Sequence, residues 1–77
     1  HFRNISVYGA GVMGSGIAWV AARTTDVDMH DVAAESLARG MKSLGGLARR
    51  DKRRLQRIRP VLDHSGLAKS DVVIEAV

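Results

Sequence analysis

Cysteine is absent from the 77 residues, proline occurs once and aromatic side chains three times. Without cysteine there can be no disulfide staple, no thiolate metal site and no cysteine nucleophile. None of the three aromatics, Phe2, Tyr8 and Trp19, interleaves with the basic run at residues 49–59. A stacking surface for single-stranded nucleic acid is therefore not expected. Long hydrophobic runs are missing as well. The longest, Ile17 to Ala22, is far too short to span a bilayer. The chain opens His1-Phe2-Arg3-Asn4, without an apolar signal core. No membrane partner is expected, and the expected location is cytoplasmic.

What remains is ordinary globular material, 45% hydrophobic and 26% charged. At this length one small domain is the limit, and it would bury only about 60–65% of its unfolded surface. Both ends read as cuts, because the chain stops at Val77 inside an apolar run. The expectation is a single truncated domain over residues 1–77. The net charge of +4 is concentrated. Arg49, Arg50, Lys52, Arg53, Arg54, Arg57 and Arg59 face only Asp51. A solvated helix end and loop is the simplest reading of that stretch, with polyanion binding as the alternative.

Local patterning alternates strand and helix. Ile5 to Tyr8 is β-prone and closed by Gly9. Val12 to Arg23 has apolar residues at helical spacing. Val27 to Asp31 alternates as a second strand. Ala33 to about Arg54 reads as helix, weakened by Gly40 and Gly45-Gly46, so a kink or two helices are expected. Ile58 to Val61 fits an edge strand, because Pro60 cannot donate to a ladder. Asp63 to Gly66 is turn chemistry, followed by a short element at Leu67 to Lys69. Asp71 to Val77 is apolar on both faces, as in the middle of a covered parallel sheet. This order is that of an α/β fold.

One motif carries chemistry. Gly9-Ala10-Gly11-Val12-Met13-Gly14 is a G-x-G-x-x-G between a strand and a helix, and Asp31 follows Gly9 by 22 residues, at the end of the next strand. That context is what dinucleotide binding requires. Gly9 permits the tight turn, Gly11 lets the backbone approach a pyrophosphate, and Gly14 lets the helix pack closely. Gly16 offers a second small position for helix–strand contact. The helix start presents free N–H groups and a positive dipole end. Asp31 would accept from the adenosine ribose hydroxyls and repel a 2′-phosphate, so NAD is favoured over NADP. A carboxylate that only caps the next helix is the alternative for Asp31. Met13 suits either core packing or the cofactor cleft. Trp19 reads as helix-face packing. Glu75 either reaches solvent at a strand end or lies beside the cofactor at the carboxyl edge of the sheet. His30, near the cleft rim, and His64, in a turn, have no partners at catalytic spacing. No catalytic residue and no metal site are assigned.

The stretch Ile5 to Ala18, with its G-A-G-V-M-G-S-G-I-A, resembles the opening of the NAD-binding domain of 3-hydroxyacyl-CoA dehydrogenases. Ser70 to Val77, with D-V-V-I-E-A-V, resembles that domain's fourth strand, and Ile58 to Leu67 the segment before it. The likeness is closest to the dehydrogenase part of multifunctional fatty-acid oxidation alpha subunits. It implies the N-terminal half of a Rossmann-type, doubly wound parallel sheet, with strand order 3-2-1-4. It also implies NAD-dependent oxidation of a 3-hydroxyacyl-CoA to the 3-ketoacyl-CoA in β-oxidation. Gly9, Gly11, Met13 and Gly14 would form the pyrophosphate side, and Asp31 would hold the ribose. Glu75, Ala76 and Val77 would run past the cofactor. The family's catalytic pair has no counterpart here, so acyl-CoA would be a partner only of the complete, oligomeric enzyme. Thr24-Thr25-Asp26 stands where the family usually has a glycine, and the region before Ile58 is shorter than the family's.

Overall fold

The computed structural model describes residues 4–62, 70 and 72–76, the side chain of Val12 excepted. The turn and short element expected at Asp63 to Lys69, together with His64 and Val77, lie outside the described residues.

Four parallel strands form one sheet in the order β3-β2-β1-β4. They are β1 (Asn4–Tyr8), β2 (Asp26–His30), β3 (Ile58–Val61) and β4 (Val72–Glu75). Tyr8 pairs with His30 on one side and Glu75 on the other, and His30 pairs with Val61. The carboxyl ends of all four strands therefore meet along one edge. Ladder-like bonds continue past the strand ends, from the Gly9 amide to His30 O at 2.9 Å and from the Ala76 amide to Tyr8 O at 2.8 Å.

The side-chain alternation of the strands sorts the two faces. Val7, Val27, Met29 and Ile58 point to one face and join Ala10, Ala18, Ala22, Leu37 and Leu44 in the core. Helices α1 (Val12–Ala21) and α2 (Ala34–Leu47) cover that face, α1 supplying Ala18, α2 supplying Leu37 and Leu44, and Ala22 following α1. The α2 stripe is Leu37, Gly40 and Leu44, spaced for one helix face. On the opposite face lie Ser6, Tyr8, Asp28 and His30. Ser6, Asp28 and His30 are nonetheless buried. His30 Nε2 lies 3.2 Å from Ser6 Oγ, which also contacts Ser70 Oγ. Burying three polar groups is tolerable only because each has a partner. Asp28 takes a two-pronged bond from Arg59, at 3.0 and 2.9 Å.

The long helical stretch runs through Gly40 and Gly45-Gly46 and breaks after Leu47. A 3-10 turn at Ala48–Arg50 leads into α3 (Lys52–Gln56). Asp51 caps α3 by accepting from the Arg54 amide at 3.1 Å. Arg54 lies over the Trp19 ring, 4.5 Å from its centroid. Much of the basic stretch is thus tied into the fold, while Arg49, Arg50, Lys52 and Arg53 are exposed.

Three expectations need correction. β4 stands beside β1 at the end of the sheet, as the order 3-2-1-4 implies, but it is half-buried to exposed and not the strand covered on both faces that its apolar run suggested. His30 is fully buried under its serine contact and is not a rim residue. The first helix stops at Ala21, short of Arg23, and a turn at Ala22 to Thr24 replaces the missing glycine without any positive φ.

Candidate functional site

The glycine motif occupies the turn from β1 into α1. Gly9 has φ 102°, the left-handed region that a side chain disfavours. A Cβ on Gly14 would strike the Gly9 carbonyl, so only glycine lets α1 start this close to the turn. Gly11 behaves in the opposite way. It is exposed with ordinary φ of −63°, and a Cβ there would meet nothing within 4 Å. Protein packing does not ask for glycine at this position. Room for something else does.

The first turn of α1 is bare. Gly11 brings no side-chain cap, and no acidic residue lies in the first turn. The opening N–H groups of a helix have no partner within it. Together with the dipole they make an anion seat beside the open Gly11.

Asp31 lies one residue past β2 and reaches across to the motif. Its Oδ2 accepts from the Ala10 amide at 3.0 Å and its Oδ1 from the Ala33 amide at 2.9 Å. These two bonds, Ala10 first, hold its carboxyl below the usual value, with the Val32 amide and Arg39 assisting and partial burial opposing. Asp31 is therefore ionised and fixed, and a carboxylate with about four acceptor sites keeps capacity for ribose hydroxyls. Asp31 does not cap α2, since its Oδ1 bonds the amide of Ala33, the residue before the helix, and α2 has no side-chain cap.

Other expected positions fall as follows. Glu75 is exposed at the carboxyl end of β4, opposite Tyr8. Ala76 follows it, and its Cβ lies 3.6 Å from where a Gly14 Cβ would stand. Gly9, Gly11, Gly14, Asp31, Glu75 and Ala76 thus share one edge of the sheet. Met13 is 69% exposed, which removes the core-packing reading. It lines an apolar groove with Gly16, Ile17, Val20, Ala21 and Ile74. Gly16 opens onto that groove, and a Cβ there would touch nothing, so it makes no close helix–strand contact. Trp19 packs against the core, as its place on α1 suggested.

Sequence patterning missed Ala10. It is fully buried, and Asp31 holds its amide. Nothing in a periodicity marks such a residue. Only its place between two motif glycines does.

A parallel α/β sheet with a glycine turn, a bare helix start and a carboxylate after the second strand defines a dinucleotide-binding domain. The residues present fit a pyrophosphate at α1 and a ribose at Asp31. The family described as 3-hydroxyacyl-CoA dehydrogenase, NAD binding domain, matches residues 4–77, and the chain belongs to it. NAD is accordingly its cofactor. The chain is 42% identical over 84 aligned positions to the fatty acid oxidation complex subunit alpha of Psychrobacter cryohalolentis, covering 94% of this chain and 12% of that protein. For the same subunit of Acinetobacter baylyi the identity is 39% over the same shares. The chain thus spans about an eighth of the length of these relatives. The alignment is longer than the chain, in keeping with the shortened region before Ile58. Among solved structures, 3-hydroxybutyryl-CoA dehydrogenase from Escherichia coli matches with TM-score 0.83 and 37% identity, over 100% of this chain and 19% of that one. The (S)-3-hydroxybutyryl-CoA dehydrogenase of Ralstonia eutropha matches with TM-score 0.82 and 29% identity, over 100% and 31%.

Proposed function

We infer that the chain is the cofactor-holding part of an NAD-dependent 3-hydroxyacyl-CoA dehydrogenase of fatty-acid β-oxidation. The observation that carries this is the bare start of α1 beside open Gly11, facing the fixed carboxylate of Asp31. When bound, NAD supplies the hydride-accepting nicotinamide. The chain's own work is binding and orientation. The N–H groups of the first turn of α1 hold the pyrophosphate, and Gly11 keeps the approach clear. Asp31 takes the ribose hydroxyls and turns away a 2′-phosphate by charge. Glu75 and Ala76 flank the cofactor where the sheet ends, with Met13 at the side of the cleft.

None of the 77 residues is assigned the removal of the hydroxyl proton, so the base and the acyl-CoA contacts belong to the complete, oligomeric, cytoplasmic protein. The chain alone should not turn over a 3-hydroxyacyl-CoA. Calorimetric titration with NADH tests the reading. Saturable binding is expected, weakened at least tenfold by Asp31→Ala and much weaker for NADPH. A folded chain that ignores NADH would contradict it.

A further inference from the structure

The structure assigns Gly40, in the middle of α2, the role of a positioning residue for the cofactor turn, acting through Ala10. This rests on the cofactor reading above and deepens it. Ala10 is fully buried, and its amide donates to Asp31 Oδ2 at 3.0 Å. Its carbonyl faces α2. A Cβ built on Gly40 would collide with the Ala10 carbonyl oxygen and would lie 3.1 Å from Met29 Cε. The methionine tip can swing aside, whereas the carbonyl belongs to the backbone of the glycine turn and cannot.

The three glycines of α2 are therefore unequal. A Cβ on Gly45 or Gly46 would meet nothing within 4 Å. Gly40 alone is a point of contact, on the buried stripe with Leu37 and Leu44. A glycine inside a helix is unfavourable by propensity, and close approach is the usual physical reason to keep one. Here the approach is to the peptide that precedes Gly11. The Ala10 unit is gripped at its N–H by Asp31 and abutted at its C=O by α2. Both grips fix where Gly11 and the first turn of α1 present their N–H groups. A methyl group at position 40 would push Ala10 outward, pull its amide from Asp31 and tilt the anion seat. Preorganised donors lose affinity when their support shifts.

The test uses the 77-residue chain with Gly45→Ala and Gly46→Ala, whose added helix propensity offsets any general loss of stability. Two quantities are read: hydrogen exchange at the Ala10 amide by NMR, and NADH affinity by calorimetry. Before Gly40 is changed, the Ala10 amide should exchange slowly. Adding Gly40→Ala should speed it at least tenfold and raise the NADH Kd at least tenfold. The Val27 amide, bonded to Arg57 O at 2.8 Å at the other end of the sheet, should keep its rate. That contrast separates a moved turn from a loosened fold. Fast Ala10 exchange before Gly40 is changed, or unchanged exchange and Kd after, would overturn the assignment. Ala10 protection lost on Gly40→Ala in a chain that never bound NADH would uphold the contact and refute the cofactor reading.

Discussion

The two ends of α1 are finished in opposite ways. At its end, Arg57 from 35 residues away donates to the carbonyls of Ala22 and Arg23, at 3.0 and 3.1 Å. Those two carbonyls lie just past the helix, and within its last turn the Ala18, Val20 and Ala21 carbonyls accept from the Ala22, Arg23 and Thr24 amides, so this end is closed by the protein itself. At its start there is no side-chain cap and no acid, and Gly11 leaves open space. The chain does cap a helix elsewhere, since Asp51 closes the start of α3, and Asp31 holds the amide of Ala33 just before α2. The start of α2 has no side-chain cap either, but it carries Glu35 in its first turn, whereas α1 has neither a cap nor an acid. What the fold closes with its own atoms is structural, and on the proposed reading the open start of α1 seats the pyrophosphate.

Substitutions at each end should separate these roles. The largest effect is expected from Gly14→Ala, where the new methyl meets the Gly9 backbone. Overpacking against a backbone that cannot yield should cost about 3 kcal/mol, visible in chemical denaturation, and abolish NADH binding. Next is Asp31→Ala, which frees the Ala10 amide and removes the ribose acceptor. Because the carboxyl is held below its ordinary value, its stabilising contribution is complete above the unfolded value of about 3.9. It is lost as pH falls through the lower folded value. An acid titration followed by circular dichroism should show that step in the parent chain and not in Asp31→Asn. The smallest effect belongs to the closed end. Arg57→Ala should lower stability by about 1 kcal/mol and leave the NADH Kd within twofold.

Much of the fold was legible because its signals are local. The Ile5 to Tyr8 run, the glycine motif and the spacing to Asp31 mark β1, α1 and β2 without reference to anything distant. Right-handed crossovers then order the strands. Pro60 announced the β3 edge, and the glycines of the second helical stretch signalled a break without fixing its place, which falls after Leu47. What was not legible depends on partners far along the chain. An apolar run such as Val72 to Ile74 looks the same whether neighbours cover it or not, so its partial exposure could not be read, although the order 3-2-1-4 already put β4 at the end of the sheet. The burial of His30 follows from its Ser6 contact across the sheet. The use of Arg57 as a helix cap hides inside a run of similar cations. Gly16 and Gly11 look alike in sequence, and both would accept a Cβ without a clash. Only Gly11 stands at the bare helix start, so the motif spacing distinguishes them and packing does not.

The most direct test of the bare helix start as the cofactor seat is Gly11→Ala. Its backbone angles suit any residue, and its Cβ would meet no protein atom within 4 Å. NADH titration and thermal unfolding of this variant, beside the parent chain, should show an unchanged Tm and a Kd raised at least tenfold. An equal Kd with the new methyl in place would contradict the account, because nothing would then be occupying the space that Gly11 leaves.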